Sequence, residues 1–240
     1  LRQFGSGQKG LISIGLLSSV ARNLLPAASE KLAVKFPDIE LDILEISPVE
    51  AIDLLYGRQL SVAVLAEDSI AKSILSFSKT NLFEDPYVLA VPKSVSLENI
   101  KNLDELKKSP VSKALSNIIQ FEFGNQHKKR IEEWFTSVLP NSKVFAKTRT
   151  YEVALSMVQS GRGVAVVPAL AARLGGKNLD FDVNLYRTNL PVRKIISLIP
   201  SQYVRVEPYK SFIEALTETG KKMKLPKIHK VPPILESLSV

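Results

Sequence analysis

The chain has 240 residues, 45% hydrophobic and 23% charged, the balance of a folded globular protein long enough for one large domain or two small ones. It contains no cysteine, which excludes a disulfide scaffold, a thiolate metal site and a cysteine nucleophile, and fits a reducing, cytoplasmic setting. The net charge of +8 favours acidic partners such as nucleic acid, phosphate or carboxylate ligands.

The positive charge is spread out. Lys101, Lys107, Lys108, Lys113, Lys128, Lys129 and Arg130 occupy one stretch, and Lys221, Lys222, Lys224, Lys227 and Lys230 another. Solvated helix faces with a basic tail and a nucleic-acid surface both account for this, although no aromatic interleaving supports single-strand stacking. Residues 1–10 lack the apolar core and cleavage pattern of a signal peptide. No run reaches the roughly 18 apolar residues that a membrane helix needs. The opening on Leu-Arg-Gln-Phe, with no methionine, is what a fragment or a processed chain looks like.

Leu11-Ile12-Ser13-Ile14, ending at Gly15, reads as a buried strand. Pro26 opens a helix at its favoured first position; Leu25, Ala28, Leu32 and Phe36 follow at helical spacing, and Pro37 stops it. Residues 39–46 alternate Leu41 and Ile43 with Glu40 and Asp42, as on a half-covered strand. Ser47-Pro48-Val49-Glu50 is a capping-box pattern whose helix turns Val49, Ile52 and Leu55 inward and ends at Gly57. A third apolar strand follows at 62–65. This β-α-β-α-β order predicts a parallel sheet with right-handed crossovers.

Strands are expected at 74–82 and 87–91, and a short helix at 103–107. The alternation then starts again: strand at 117–121, helix at 128–139 with Ile131, Trp134, Phe135 and Val138 on one face, strand at 144–147, helix at 152–160, strand at 163–167. A strand at 194–199 and a helix at 208–222 close the pattern, and 225–240, with three prolines and no periodicity, reads as a loose tail. Two successive α/β units imply two lobes, and open α/β sheets bind ligands outside the carboxyl ends of their strands. Those ends are followed here by residues 16–19, Ser47, Ala66, residues 122–125 and residues 149–151.

Several segments together resemble one family. Gly10-Leu11-Ile12-Ser13-Ile14-Gly15, Ser18-Ser19, Leu24-Leu25-Pro26, Phe36-Pro37 and the run 41–45 are similar to the start of the effector domains of LysR-type transcriptional regulators. Val158-Gln159-Ser160-Gly161-Arg162-Gly163-Val164-Ala165-Val166-Val167-Pro168 resembles the family's V-x-x-G-x-G-hydrophobic-P segment, and Leu82-Phe83 with residues 86–92 sits where that family crosses between lobes. The likeness runs from about Gly10 to Lys222, with Ser61 where the family usually has an aspartate.

The resemblance implies an α/β fold of two Rossmann-like lobes joined by two crossing strands, the periplasmic-binding-protein type 2 fold. Lobe I is expected at 10–91 with 195–224, lobe II at 92–194, a linker end at 1–9 and a tail at 225–240. It implies a small-molecule effector in the interlobe cleft, hinges near 89–92 and 192–195, and a homo-dimer or homo-tetramer. It implies DNA contact through an N-terminal winged helix-turn-helix missing from this sequence, no membrane partner and no cofactor. The effector is expected to be a small anion or a polar metabolite.

Ser18 and Ser19 close the first strand and can offer hydroxyls and N–H groups to an anion, or form a simple turn or cap. Ser47 has the same two roles open to it, its capping role being sufficient by itself. Thr150 and Tyr151 begin a helix whose family counterpart faces the cleft, and Thr150 can equally be its cap. Phe123 and Asn125, around Gly124, suit apolar and amide contacts, with His127 just beyond as a ligand contact or a solvated helix-start residue. Ala66 stands where some relatives carry a basic residue, leaving Arg149 as the substitute carboxylate partner or a surface group.

Enzyme chemistry finds little support, although a Ser-His-Asp set remains arithmetically possible. Two histidines, His127 and His229, with no cysteine, assemble neither a metal cluster nor a Cys-His pair. No G-x-S-x-G elbow, G-x-G-x-x-G turn or Walker loop is present, and Gly161-Arg162-Gly163 precedes a strand rather than a helix. The competing reading from another class is a periplasmic solute-binding protein of the same architecture.

Overall fold

The apolar run after Gly10 forms β1 (Gly10–Leu16), and the chain then alternates: α1 (Ser18–Lys35), β2 (Ile39–Glu45), α2 (Pro48–Tyr56), β3 (Val62–Ala66) and β4 (Phe77–Asp85). There follow β5 (Tyr87–Pro92), α3 (Leu103–Lys108), α4 (Ser112–Leu115), β6 (Asn117–Phe121), α5 (Asn125–Val138), β7 (Lys143–Thr148) and α6 (Tyr151–Gln159). The remaining elements are β8 (Ala165–Pro168), β9 (Val183–Arg187), β10 (Arg193–Pro200), α7 (Tyr209–Lys221) and α8 (Pro233–Glu236). The computed structural model describes residues 10–70, 76–122, 125–175 and 180–236, the side chains of 125–127 excepted.

Two units result, Leu1–Glu84 with Arg193–Lys224 and Asp85–Val192 with Leu225–Val240. The first holds a five-stranded sheet in the order β2-β1-β3-β10-β4. β1 runs parallel to β2 and β3, while β10 lies antiparallel to β3. Ile196 and Leu198 of β10 face the α2 side, packing with Ala51, Leu55 and Leu60. In the second unit β8-β5-β9 form one sheet and β6-β7 another, and the Ile118–Val164 bridge joins them through β6. The resulting run β7-β6-β8-β5-β9 repeats the plan of the first unit: parallel strands at one end, an antiparallel returning strand beside them.

The glycine motif at 161–163 explains how β8 meets β6. Gly161 has φ +77°, a conformation L side chains avoid. A Cβ on Gly163 would lie 2.5 Å from the Asn117 carbonyl oxygen, so only glycine lets the turn approach the start of β6.

The structure differs from the sequence expectations in several places. Helix α1 starts at Ser18, with Pro26 inside it rather than opening it. A proline removes one intrahelical hydrogen bond, and the buried stripe Val20, Ala21, Leu24, Leu25, Ala28 and Leu32 carries the helix across it. Val49 is exposed, and Ala51 joins Leu55 inside, because the helix begins at Pro48 and turns position 49 outward. The strands do not form wholly parallel sheets, since β10 returns antiparallel to β3 and β5 antiparallel to β8.

Residues 87–92 form β5 at the centre of the second unit, hydrogen-bonded to β8 and β9, and the division between the units falls at 84/85, ahead of the expected 91/92. The second boundary lies at 192/193, two residues before the expected 194/195. Residues 225–236 do not form a loose tail: His229 bridges to Tyr186 of β9, and Ile234 and Leu235 are buried in the second unit's core. The part of the expected strand at 74–75 lies outside the described residues.

Candidate functional site

Strand direction brings the candidates together within each unit. In the first, β1, β2 and β3 are parallel, with Leu16 in register with Glu45 and Val64. Their carboxyl ends therefore share one edge, where the chain turns into α1, into α2 and beyond Ala66. In the second, Phe121 of β6 is in register with Thr148 of β7, and the same edge receives the starts of α5 and α6.

The helix starts on these edges are not equivalent. Ser47 caps α2, its Oγ accepting from the Glu50 N–H at 3.2 Å. Thr150 caps α6, accepting from the Val153 N–H at 3.4 Å, and its own N–H donates to Thr148 Oγ1 at 3.3 Å. Helix α1 has Leu17 at its N-cap, no side-chain cap and no acidic residue in its first turn. The first N–H groups of a helix lack intrahelical acceptors, so those of Ser18 and Ser19 carry the positive end of an uncapped dipole. Ser18 is half-buried, whereas Ser19 is 2% exposed. Ala66 is 1% exposed, so it offers backbone and no reachable side chain.

On the second unit's edge, Phe121 and Tyr151 stack with centroids 3.9 Å apart. Beside Phe121, Glu122 accepts from Lys128 at 2.9 Å and from Lys147 at 3.0 Å. The hydrogen bond from Lys128, then that from Lys147, holds the Glu122 carboxyl below the usual range, and the same contact raises Lys128. Arg149 is exposed. Phe123, with Gly124, lies outside the described residues, as do the side chains of Asn125 and His127, whose backbone forms the first turn of α5. The Phe121–Tyr151 stack and the Glu122–Lys128–Lys147 triangle escape a reading by motif. An aromatic residue closing an apolar strand and another opening the next strand's helix are the signal for the first. Among the described residues no group of three metal-ligating side chains forms, and no helix is long and apolar enough to cross a membrane.

Residues 5–221 match the model of the LysR substrate binding domain. The chain belongs to this family. It is the effector-binding domain of a LysR-type regulator, a regulatory and not an enzymatic fold. The chain is 25% identical over 170 residues to the HTH-type transcriptional regulator CysB of Haemophilus influenzae, a match covering 68% of this chain and 48% of that protein. It thus spans about half the length of the curated relative it matches. Among solved structures, the effector binding domain of QuiR in complex with shikimate superposes with a TM-score of 0.64 at 16% identity, covering 91% of this chain and 100% of that one. The BenM effector binding domain with its effector benzoate gives 0.62 at 17%, covering 90% and 92%. At these identities the structures speak for the fold, the periplasmic-binding-protein type 2 arrangement.

Proposed function

We propose that this LysR domain senses a small anionic or polar metabolite at its strand-end edges and couples its binding to DNA binding by the regulator it belongs to. One observation carries the reading: α1 leaves β1 with no side-chain cap and no acid in its first turn, while its counterparts α2 and α6 are capped by Ser47 and Thr150. An uncapped helix start favours an anion. The Phe121–Tyr151 stack adds an apolar aromatic surface, and Lys147 and Arg149 add positive charge. The printed ligands of QuiR and BenM, shikimate and benzoate, are both ring carboxylates, which agrees with that chemistry. The full regulator acts in the cytoplasm as a homo-dimer or homo-tetramer and contacts DNA through a separate domain.

Thermal-shift titration of the domain with shikimate, benzoate and amino acids tests the reading. A ligand that binds only the folded state raises Tm as its concentration exceeds Kd. The expected result is a rise with a carboxylate that Ser18→Ala and Tyr151→Ala each diminish. A rise equal in both variants places the ligand elsewhere, and a well-behaved transition that no carboxylate moves overturns the anionic assignment.

A further inference from the structure

A concavity of about 350 Å³ lies in the second unit between β6, β7 and α5. It is separate from the strand-end edge. Alternation along β6 turns Ile118 and Gln120 toward α5, while Ile119 packs on the α6 side and Phe121 follows it. Ile118, Ile131, Phe135, Leu139 and Val144 make an apolar wall, and the volume suits a compact small molecule.

The polar groups of the cavity share one property: most of their donors are already used. Gln120 Nε2 donates to Glu132 Oε1, Thr136 Oγ1 donates to the Glu132 carbonyl at 2.9 Å, and Ser142 Oγ donates to the Leu139 carbonyl at 2.6 Å. What remains to face a ligand is mainly acceptors: Gln120 Oε1, the Glu132 carboxylate and two hydroxyl lone pairs, against one N–H of Gln120. Among the described residues no donor reaches Gln120 Oε1, although Gln120 is only 5% exposed. Glu132 has only a long ion pair, Lys128 standing 4.0 Å from it and 2.9 Å from Glu122.

We propose that this cavity is a second small-molecule site, selective for a primary ammonium carried on a compact apolar body. The ammonium's three N–H groups meet Glu132 and Gln120 Oε1 at the polar end, and an aryl or cycloalkyl group lies against the apolar wall. A carboxylate meets chiefly acceptors there, the Glu132 charge among them, and is disfavoured, the reverse of the preference argued for the strand-end edge, so the two sites stand or fall separately.

The test titrates the domain with 2-phenylethylamine and with 3-phenylpropionate, nearly the same shape with opposite charge, followed by methyl and amide NMR. The amine should give saturable shifts at Ile118, Ile131 and Val144 that the propionate does not. Glu132→Gln should weaken the amine about tenfold or more, as loss of a charge-assisted contact does. Val144→Trp, at an exposed position of β7, should abolish the shifts at Ile118 and Ile131 by filling the mouth while the unfolding transition stays that of the parent. Equal binding of both probes, unchanged amine affinity in Glu132→Gln, amine shifts confined to the strand-end residues, or shifts that follow protein concentration because a second copy fills the cavity would each overturn the proposal. Binding of a carboxylate at Ser18 or Tyr151 bears on the first site alone.

Discussion

Phe121 and Tyr151 lie face to face, centroids 3.9 Å apart and planes 17° from parallel, tying the end of β6 to the start of α6. Between them in sequence lie α5 and β7, so the stack fastens two successive strand-to-helix turns at one edge. Aromatic pairs contribute about 0.5–1.5 kcal/mol beyond the area they bury. A double-mutant cycle of Phe121→Leu and Tyr151→Leu in urea should return a coupling in that range. A coupling of zero would mean that the rings are neighbours without holding the turns together.

Glu122 should titrate below the ordinary glutamate value of about 4.3, because Lys128 and then Lys147 hydrogen-bond its carboxylate. A carboxyl lowered in the folded state binds fewer protons there than in the unfolded chain. Its contribution is therefore present above the ordinary value and lost as pH falls through the lowered one. Carboxyl carbon NMR should find the midpoint lowered in the native chain and moved upward by Lys128→Met. An unmoved midpoint in that variant would assign the shift to something other than the ion pair.

Much of this architecture is legible in the sequence because periodicity reports burial. The runs at 62–65 and 117–121 and the Ile131, Trp134, Phe135, Val138 face each land where the pattern puts them. Ser47 and Thr150 cap helices as their residue types suggest. What the pattern misses depends on tertiary contact. Pro26 carries a start signal, and only the packed stripe from Val20 to Leu32 decides that the helix begins eight residues earlier, at Ser18. β9 has the alternation Val183, Asn184, Leu185 of a strand, yet pairing with β5 is what makes it one. His229 and Leu235 carry no periodic signal, and they are ordered by docking on that strand and the core beneath it. Of the site, the edge was legible from strand ends, whereas the missing cap at Leu17 and the Glu122 triangle depend on backbone and side-chain geometry.

Gly163→Ala should destabilise the second unit by about 1–3 kcal/mol, the usual cost of forcing extra volume into packed structure. The added Cβ meets a backbone oxygen, that of Asn117, which cannot swing aside. Gly161→Ala has open space around it and pays only for its positive φ, roughly 1–2 kcal/mol. Urea unfolding of both variants separates the two causes: Gly163→Ser should be at least as damaging as Gly163→Ala, while Gly161→Asn should recover most of the loss because asparagine tolerates that backbone region.

β7 ends the run of strands in the second unit and exposes Val144 and Phe145, the latter at 51%. An open strand edge with apolar residues invites pairing with another chain. If the domain self-associates through this edge, Phe145→Asp should shift its sedimentation toward monomer without lowering Tm. An unchanged distribution at matched concentration would move the assembly surface away from β7.

Ser47 offers a way to separate a cap from a ligand contact. Its Oγ accepts the Glu50 N–H, and removing such a cap costs about 1 kcal/mol, within a range of roughly 0.5–2. Ser47→Ala should lose that stability. Ser47→Asp should keep it, since aspartate caps as well as serine does, but it sets a negative charge on the edge shared with the α1 start. If a carboxylate binds there, Ser47→Asp should abolish the ligand-induced rise in Tm while the ligand-free Tm stays near that of the parent. Retention of the full rise in Ser47→Asp would make Ser47 a cap and nothing more, and would place the anion away from the edge that Ser47 shares with the α1 start.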